Sequence, residues 1–272
     1  MPGKLEVLHS RLAAEANETI AAGRVGNGKF ALSTGAWYIN DKYLRDRGAS
    51  SGRVCPEGTT CGYKLDERLA KCLAERFAGG TVTELGGGTG HYKRALLRSG
   101  RVRRYVAYDG VPDIERMTSG EVHWADLSAP QPYLVTSDWA MSLEVAEHIP
   151  PQFEAAYLAN LDTANTRGLA CARPCSAARH AARPYAARCA RRISWSHLSA
   201  ARGQSAHGHV NAKPARSVRA LFLSRGYVEE VNSTRYLRRC ATFPYLRNGI
   251  MFFRRDASAA SASAAEATGR RH

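Results

Sequence analysis

Short apolar runs alternate with longer segments of helical spacing through the middle of this chain. Thr81-Val82-Thr83, Arg104–Asp109, Glu121–Leu127 and Ser137–Leu143 read as strands, the last three ending in acidic or apolar residues at a turn. Leu65, Leu69, Leu73 and Phe77 recur at helical spacing and predict a helix over 65–77, packed ahead of the first strand. Tyr92, Ala95 and Leu96 share a face in a helix over 91–99, with Gly100 as its C-cap. Pro151 opens another helix, from Gln152 to about Ala164, that turns Phe153, Tyr157, Leu158 and Leu161 to one side. A helix over Ala215–Arg225 and a final strand at Gly249–Phe253 follow.

Outside this patterned region the chain changes character. Leu5–Ala22 reads as a helix with Leu5, Leu8, Leu12 and Ala13 on one side. Residues 26–62 are irregular apart from one aromatic island, Ala36-Trp37-Tyr38-Ile39. The expected division is an N-terminal helix and irregular lid over 1–62, one domain over 63–256, and an Ala/Ser-rich tail over 257–272 too poor in bulky apolar residues to pack. Residues 170–192 hold six Arg, nine Ala and three Cys with no acidic residue. They separate Gly168-Leu169 from Ile193-Ser194-Trp195, which would join into one strand, so the segment is expected to be an insertion whose removal raises thermal stability.

The formal charge is +15, and without those six arginines it falls to +9, ordinary for an enzyme of anionic small molecules. No run approaches the 18 apolar residues of a membrane span, and Met1–Glu6 lacks an apolar signal region, so the expected location is cytoplasmic. Seven cysteines with no C-x-x-C pair indicate neither a disulfide framework nor a zinc ribbon; Cys55 and Cys61 are expected to stay reduced.

The chemistry starts at Glu84-Leu-Gly-Gly-Gly-Thr-Gly90, a glycine turn between a strand and a helix N-terminus, where a cofactor can meet bare backbone. Its glycines at 86, 88 and 90 depart from the dinucleotide spacing G-x-G-x-x-G, whose third position holds His91 here. The next two strands end in Asp109 and Asp126. An acid at the second position can accept hydrogen bonds from both hydroxyls of a ribose. Asp126 taken alone reads equally as a solvated turn carboxylate.

This acidic-x-G-x-G-x-G turn with ordered strand-end acids resembles the first motifs of class I, seven-strand S-adenosyl-L-methionine-dependent methyltransferases. The run Ser142-Leu-Glu-Val-Ala-Glu-His-Ile-Pro150 resembles the segment after the fourth strand in the type 11 and ubiquinone-pathway O-methyltransferase-like group. The resemblance covers roughly Thr81–Arg255, interrupted once. It implies an α/β fold of the Rossmann-like methyltransferase kind: a doubly wound, mostly parallel seven-stranded sheet, order 3-2-1-4-5-7-6, with helices on both faces and the seventh strand antiparallel. It further implies cofactor contacts from Glu84, Gly86, Gly87, Gly88, Gly90, Asp109, Gly110, Asp126, Leu127 and Leu143. Glu84 would sit near the methionine end, and Asp126 would receive the adenine amino group with the next amide against the ring. The lid, with Trp37, Tyr38, His91 and Tyr92, would line the acceptor pocket; for Trp37 the alternative is a core anchor.

Methyl transfer needs alignment, exclusion of water and, for a hydroxyl acceptor, loss of a proton. Glu144 and His148 are the catalytic candidates. If 144–148 form one helical turn, Glu144, Glu147 and His148 share a face. That element resembles the metal site of small-RNA 2′-O-methyltransferases, with His209 as a fourth ligand or His207 in its stead, for a divalent ion such as Mg²⁺, Mn²⁺ or Zn²⁺. Otherwise His148 or His209 is a general base or a packed histidine. The expected acceptor is a small molecule, oxygen favoured. The rivals are an RNA or nucleotide 2′-O-methyltransferase and a non-catalytic cofactor-binding protein with a degenerate fifth strand.

Overall fold

The computed structural model describes residues 2–22, 29–39, 65–172 and 209–256. Expectations on 40–62, 173–208 and 257–272, including Cys55, Cys61, Ile193–Trp195 and His207, lie outside the described residues.

A helix α1 (Pro2–Ala21) and a hairpin of β1 (Lys29–Ala31) with β2 (Trp37–Ile39) precede the main body. Then come α2 (Glu67–Arg76), β3 (Thr81–Leu85), α3 (His91–Arg98), β4 (Arg104–Asp109), α4 (Ile114–Met117), β5 (His123–Trp124) and β6 (Ser137–Leu143). A 3-10 turn at Pro151–Phe153 leads into α5 (Glu154–Thr163), followed by β7 (Asn165–Ala172) and α6 (Ala215–Leu223). The chain closes with β8 (Tyr227–Glu229), α7 (Val231–Cys240), α8 (Pro244–Gly249) and β9 (Met251–Arg255).

Seven strands form one sheet in the order β5-β4-β3-β6-β7-β9-β8. β3 to β7 are mutually parallel, and β9 runs antiparallel between β7 and β8. This is the expected 3-2-1-4-5-7-6 order, and the fold is the doubly wound α/β fold of Rossmann-like methyltransferases. Alternate strand residues feed two cores, as a pleated sheet requires. Trp139, Met141, Ala170, Ala172 and Phe252 meet α2 and α7 on one face. Ala140, Leu169, Cys171, Met251 and Phe253 meet α5 and α6 on the other. Phe77, Trp139 and Phe252 anchor the first core with ring centroids 5.1 to 6.1 Å apart. Each such pair adds about 0.5–1.5 kcal/mol beyond its burial.

Four differences from the sequence reading have local causes. The last strand is Met251–Arg255, because Pro244–Gly249 first makes a helix that pins Leu246 into the core. The third strand shrinks to two residues, His123 and Trp124. Of the helix face predicted for Tyr92, Ala95 and Leu96, only Leu96 is fully buried. Finally, Cys72 on α2 and Cys240 on α7 form a disulfide across a sequence separation of 168. Spacing motifs cannot reveal a pair so distant, so the expectation that the cysteines form no disulfide does not hold for these two.

The expected insertion also needs correcting at its start. β7 runs through Ala172, so Ala170-Cys171-Ala172 are strand residues, paired to Met141–Leu143 on one side and, through Ala170 and Cys171, to Phe252 and Met251 on the other. They are almost fully enclosed and small. Deleting 170–192 would place Ile193, Ser194 and Trp195 in these positions, and overpacking costs about 1–3 kcal/mol at each crowded site. The deletion is therefore expected to lower the melting temperature; a rise in a thermal melt would restore the insertion reading from residue 170.

Candidate functional site

The sheet reverses its winding at β3. From there the chain steps outward through β4 and β5, then crosses back to β6 on the other side. In open α/β sheets ligands bind at such a switch point, beyond the carboxyl ends of the strands. The glycine turn lies there. Gly86, Gly88 and Gly90 have φ of 82°, 53° and 79°, a left-handed region that side chains disfavour. A Cβ on Gly86 would lie 2.1 Å from a Val145 methyl, so the turn also packs against the loop after β6.

One carboxylate holds this turn in place. Asp109 Oδ2 accepts from the Gly88 amide at 2.7 Å, and Oδ1 accepts from the Val111 amide at 3.0 Å. Burial raises its pKa, while the amides of Val111, Gly88 and Gly110 oppose that rise. A carboxylate oxygen has two lone pairs, so each retains capacity for one more donor.

Glu84, at the end of β3, is 2% exposed. Its Oε2 is buried without a hydrogen-bond partner and would lie 3.1 Å from a Cβ on Gly87. Burial pushes its pKa up to about 8; the Tyr105 hydroxyl opposes this, negative Asp109 adds to it, and Lys93 opposes it. A buried polar atom without a partner is rare enough to require a ligand, water or strain as its explanation.

Asp126 follows β5 and is also buried. Its Oδ1 accepts from the amide and hydroxyl of Ser128 at 2.9 and 2.7 Å, so the solvated-turn alternative does not describe it. Gln131 donates to the Asp126 carbonyl, and Asn160 of α5 donates to the carbonyls of Leu127 and Ala129. The loop bearing Asp126 and Leu127 is thus tied to α5. Leu143, the last residue of β6, belongs to the first core.

After β6 the geometry departs from the predicted helical turn. Glu144 sits at φ 60°, its amide donates to the Ala172 carbonyl, and only a tight turn follows, closed by the His148 amide on the Val145 carbonyl. The side chains of Glu147, His148 and His209 come together, with ligand atoms within 4.8 Å of one another; Glu144 stands outside this group. His148 Nε2 lies 3.9 Å from Glu147 Oε1, and the two imidazoles meet edge to face at 4.8 Å. His209 is delivered by backbone: the amides of Val210 and Asn211 both donate to the Glu147 carbonyl. Glu144 has its own pKa pushed up to about 9 by burial and then by Glu147, and its Oε1 is buried without a hydrogen-bond partner.

The N-terminal hairpin packs against this region. The Trp37 ring meets His148 edge-on at 5.2 Å while also packing on the first core, as the core-anchor reading of Trp37 expects. A Cβ on Gly35 would lie 2.2 Å from the His148 carbonyl, and one on Gly110 would lie 3.1 Å from the Ala36 methyl. Glu15 of α1 accepts from the Ser33 amide and hydroxyl, fastening the hairpin. His91 hydrogen-bonds Thr89, and Tyr92 packs on the first core. The Tyr38 side chain lies outside the described residues.

Sequence reasoning missed two contributors. Tyr245 of α8 has its hydroxyl pKa pushed up to about 12 by burial and by nearby Glu144 and Asp66. Asp66, the N-cap of α2, also accepts from the Thr242 and Phe243 amides and so holds the loop that brings Tyr245 in. Neither sits in a motif; only the capping position of Asp66, three residues before the Leu69 amide it accepts from, leaves a local signal.

No protein-family model matches the chain, and no curated protein matches it. Solved structures do match. The glycopeptide N-methyltransferase MtfA, complexed with sinefungin, is 14% identical over 42% of this chain and 56% of its own, with a TM-score of 0.36. This chain therefore spans little more than half the length of that relative. Magnesium protoporphyrin IX methyltransferase from Synechocystis PCC 6803, with bound SAH, is 11% identical over 80% of this chain and 89% of its own, TM-score 0.45. The DhpI–SAM–HEP complex is 16% identical over 78% and 93%, TM-score 0.47. At these values the likenesses concern overall fold, and no residue role is taken from them.

Glu84 gives a pH prediction. Its folded pKa is raised from 4.5 to about 8, so its stabilising contribution is complete below pH 4.5 and is lost as pH rises through 8. Ligand-free stability should therefore carry a Glu84-dependent fall on the order of 1 kcal/mol per pH unit between these limits. Urea melts of Glu84→Gln should show that fall removed; parallel slopes for the two proteins would count against the buried neutral acid.

Proposed function

We propose that this chain is an S-adenosylmethionine-dependent methyltransferase acting on a small-molecule acceptor, with oxygen the methylated atom. The observation that carries the reading is the unpartnered, buried oxygen of Glu84 beneath a glycine turn pinned by Asp109 at the switch point. The residues fit the cofactor: a carboxylate with a spare acceptor for an amino group, a second with free lone pairs for ribose hydroxyls, and a third near a tied loop for adenine. His91 at the third glycine position disfavours a nicotinamide dinucleotide. The motive for a non-catalytic reading weakens because β7 is continuous through Ala172.

S-adenosylmethionine, when bound, supplies a methyl group on a sulfonium, open to in-line displacement. On receiving the cofactor's ammonium group Glu84 would release its proton to solvent, so binding would be coupled to pH near its pKa of about 8. Asp109 orients the ribose, and the loop of Asp126 and Leu127 receives the adenine. The lid, packed on His148 and Gly110, excludes water. His148 takes the proton from the acceptor hydroxyl, and the nearby Glu147 carboxylate stabilises the imidazolium.

A second reading concerns the same residues. Two imidazoles and one carboxylate within 4.8 Å suit a divalent ion of the Zn²⁺ or Mn²⁺ type, held by Glu147, His148 and His209. Such an ion would lower the pKa of an acceptor hydroxyl. Metal analysis of the purified chain separates the readings: bound metal that His209→Ala removes supports the ion, and metal-free protein leaves the base.

Calorimetric titration with S-adenosylmethionine and its demethylated product tests the main reading. Micromolar-range binding is expected, weakened about 10- to 100-fold in Asp109→Ala, since each charge-assisted hydrogen bond contributes about 1.5–3 kcal/mol. No heat with either ligand would remove the foundation of the proposal.

A further inference from the structure

The end of the sheet opposite this site carries a row of arginines. The Gly79 amide donates to the Arg101 carbonyl and the Arg103 amide to the Gly80 carbonyl, setting that loop beside the start of β3. Arg103 lies 3.6 Å from Asp138, the second residue of β6. Arg167 on β7 and Arg254 on β9 occupy neighbouring register, since Gly168 pairs with Arg254. Both guanidiniums stand over the Trp139 ring, 5.0 and 5.6 Å from its centroid. Arg76, at the end of α2, stacks 5.0 Å over Tyr236, a ring that also feels Arg101.

The row runs from Arg101 and Arg103, just before β4, across the starts of β3 and β6, which carry no arginine, to Arg167 on β7 and Arg254 on β9, a span of five consecutive strands. At about 4.8 Å per strand the row is about 19 Å long. The acids facing it are Asp138, shared between Arg103 and Arg167, Glu230 at 3.2 Å from Arg254, and Glu75, engaged by the Tyr236 hydroxyl. Positive charge is in excess, and Arg98 and Arg104 are exposed at the same end. Arg103 and Arg254 side chains remain 67% and 53% exposed, so their donors are available to a partner. Two guanidiniums anchored on one indole are held together against their mutual repulsion. Planar, stacked guanidinium groups match phosphate oxygens bidentately.

We propose that this row binds the phosphodiester backbone of a single-stranded nucleic acid, at the end of the sheet remote from the cofactor. A line of cations fits an extended polyanion, which a strand groove tracks phosphate by phosphate. A membrane surface would instead be met by a two-dimensional patch. The surface is independent of the proposed methyl transfer, because none of its residues contacts the cofactor turn.

Fluorescence anisotropy of the full chain with a labelled single-stranded oligouridylate tests it. Contact with about four phosphates predicts a log–log salt slope near −2.8, hence an affinity loss of about 50-fold between 50 and 200 mM salt. The double variant Arg101→Ser, Arg103→Ser should fold with the wild-type melting temperature and reduce the slope by about 1.4. Cofactor titration of the variant should match wild type. Three results would overturn the proposal: no binding at low salt, an unchanged slope in the variant, or capture of phosphatidylserine vesicles without RNA binding.

Discussion

Two hydrogen bonds to one side chain organise this molecule. Asp109 ends β4 and takes the amide of Gly88 from the turn after β3 and that of Val111 from its own following loop. Those bonds join the Gly86 and Gly87 amides, which donate to the Tyr108 carbonyl, in fixing the direction of a turn with three left-handed glycines. With them, the turn is pressed so close to Val145 that no side chain fits at Gly86. The contact carries the position of β4 across β3 to the loop after β6, which bears Glu144, Glu147 and His148. The glycine turn and the loop after β6 are thereby set by one buried network.

That network is expensive to fold. Glu84 and Glu144 each bury an oxygen with no hydrogen-bond partner, and burial drives both carboxyls toward their neutral forms. Buried polar atoms of this sort destabilise by about 1–3 kcal/mol apiece when nothing meets them. The surroundings supply the offset. Around them stand an aromatic trio at Phe77, Trp139 and Phe252 and a disulfide whose closed loop is long, which in the chain-entropy model contributes about 5 kcal/mol. A well-packed sheet can carry strained, under-satisfied strand ends of this kind.

The glycine turn and the strand-end acids were legible because they depend on residue type at short spacing. Glycines at 86, 88 and 90 and acids at 84, 109 and 126 are local facts, and the strand order followed from the fold they resemble. The rest depends on distance. Cys72 and Cys240, or Asp66 and Phe243, meet only after the sheet is wound. The helical turn expected at 144–148 failed because the Glu144 amide is taken by Ala172 of the neighbouring strand, which forces a left-handed residue where periodicity assumed a helix. Reading 170 as the start of an insertion failed for a related reason. Alanine and cysteine look like low-complexity sequence, yet small residues are what a strand between two close-packed helical layers accepts.

The position of His209 shows how much the second half of the site depends on one carbonyl. The Glu147 carbonyl accepts from both Val210 and Asn211, while the Asn211 side chain donates to Glu154 Oε1 and Lys213 pairs with the same carboxylate. The segment after β7 therefore returns to the site through four bonds made by the residues after His209, and the imidazole is carried along. Its partner His148 is fixed from the other side by Trp37 and by the close approach of Gly35. Two histidines from distant parts of the chain are thus brought edge to face by independent supports, one from the lid and one from the loop. The edge-to-face pairing of the two imidazoles therefore depends on both supports, the hairpin that holds His148 and the backbone bonds that hold the segment of His209.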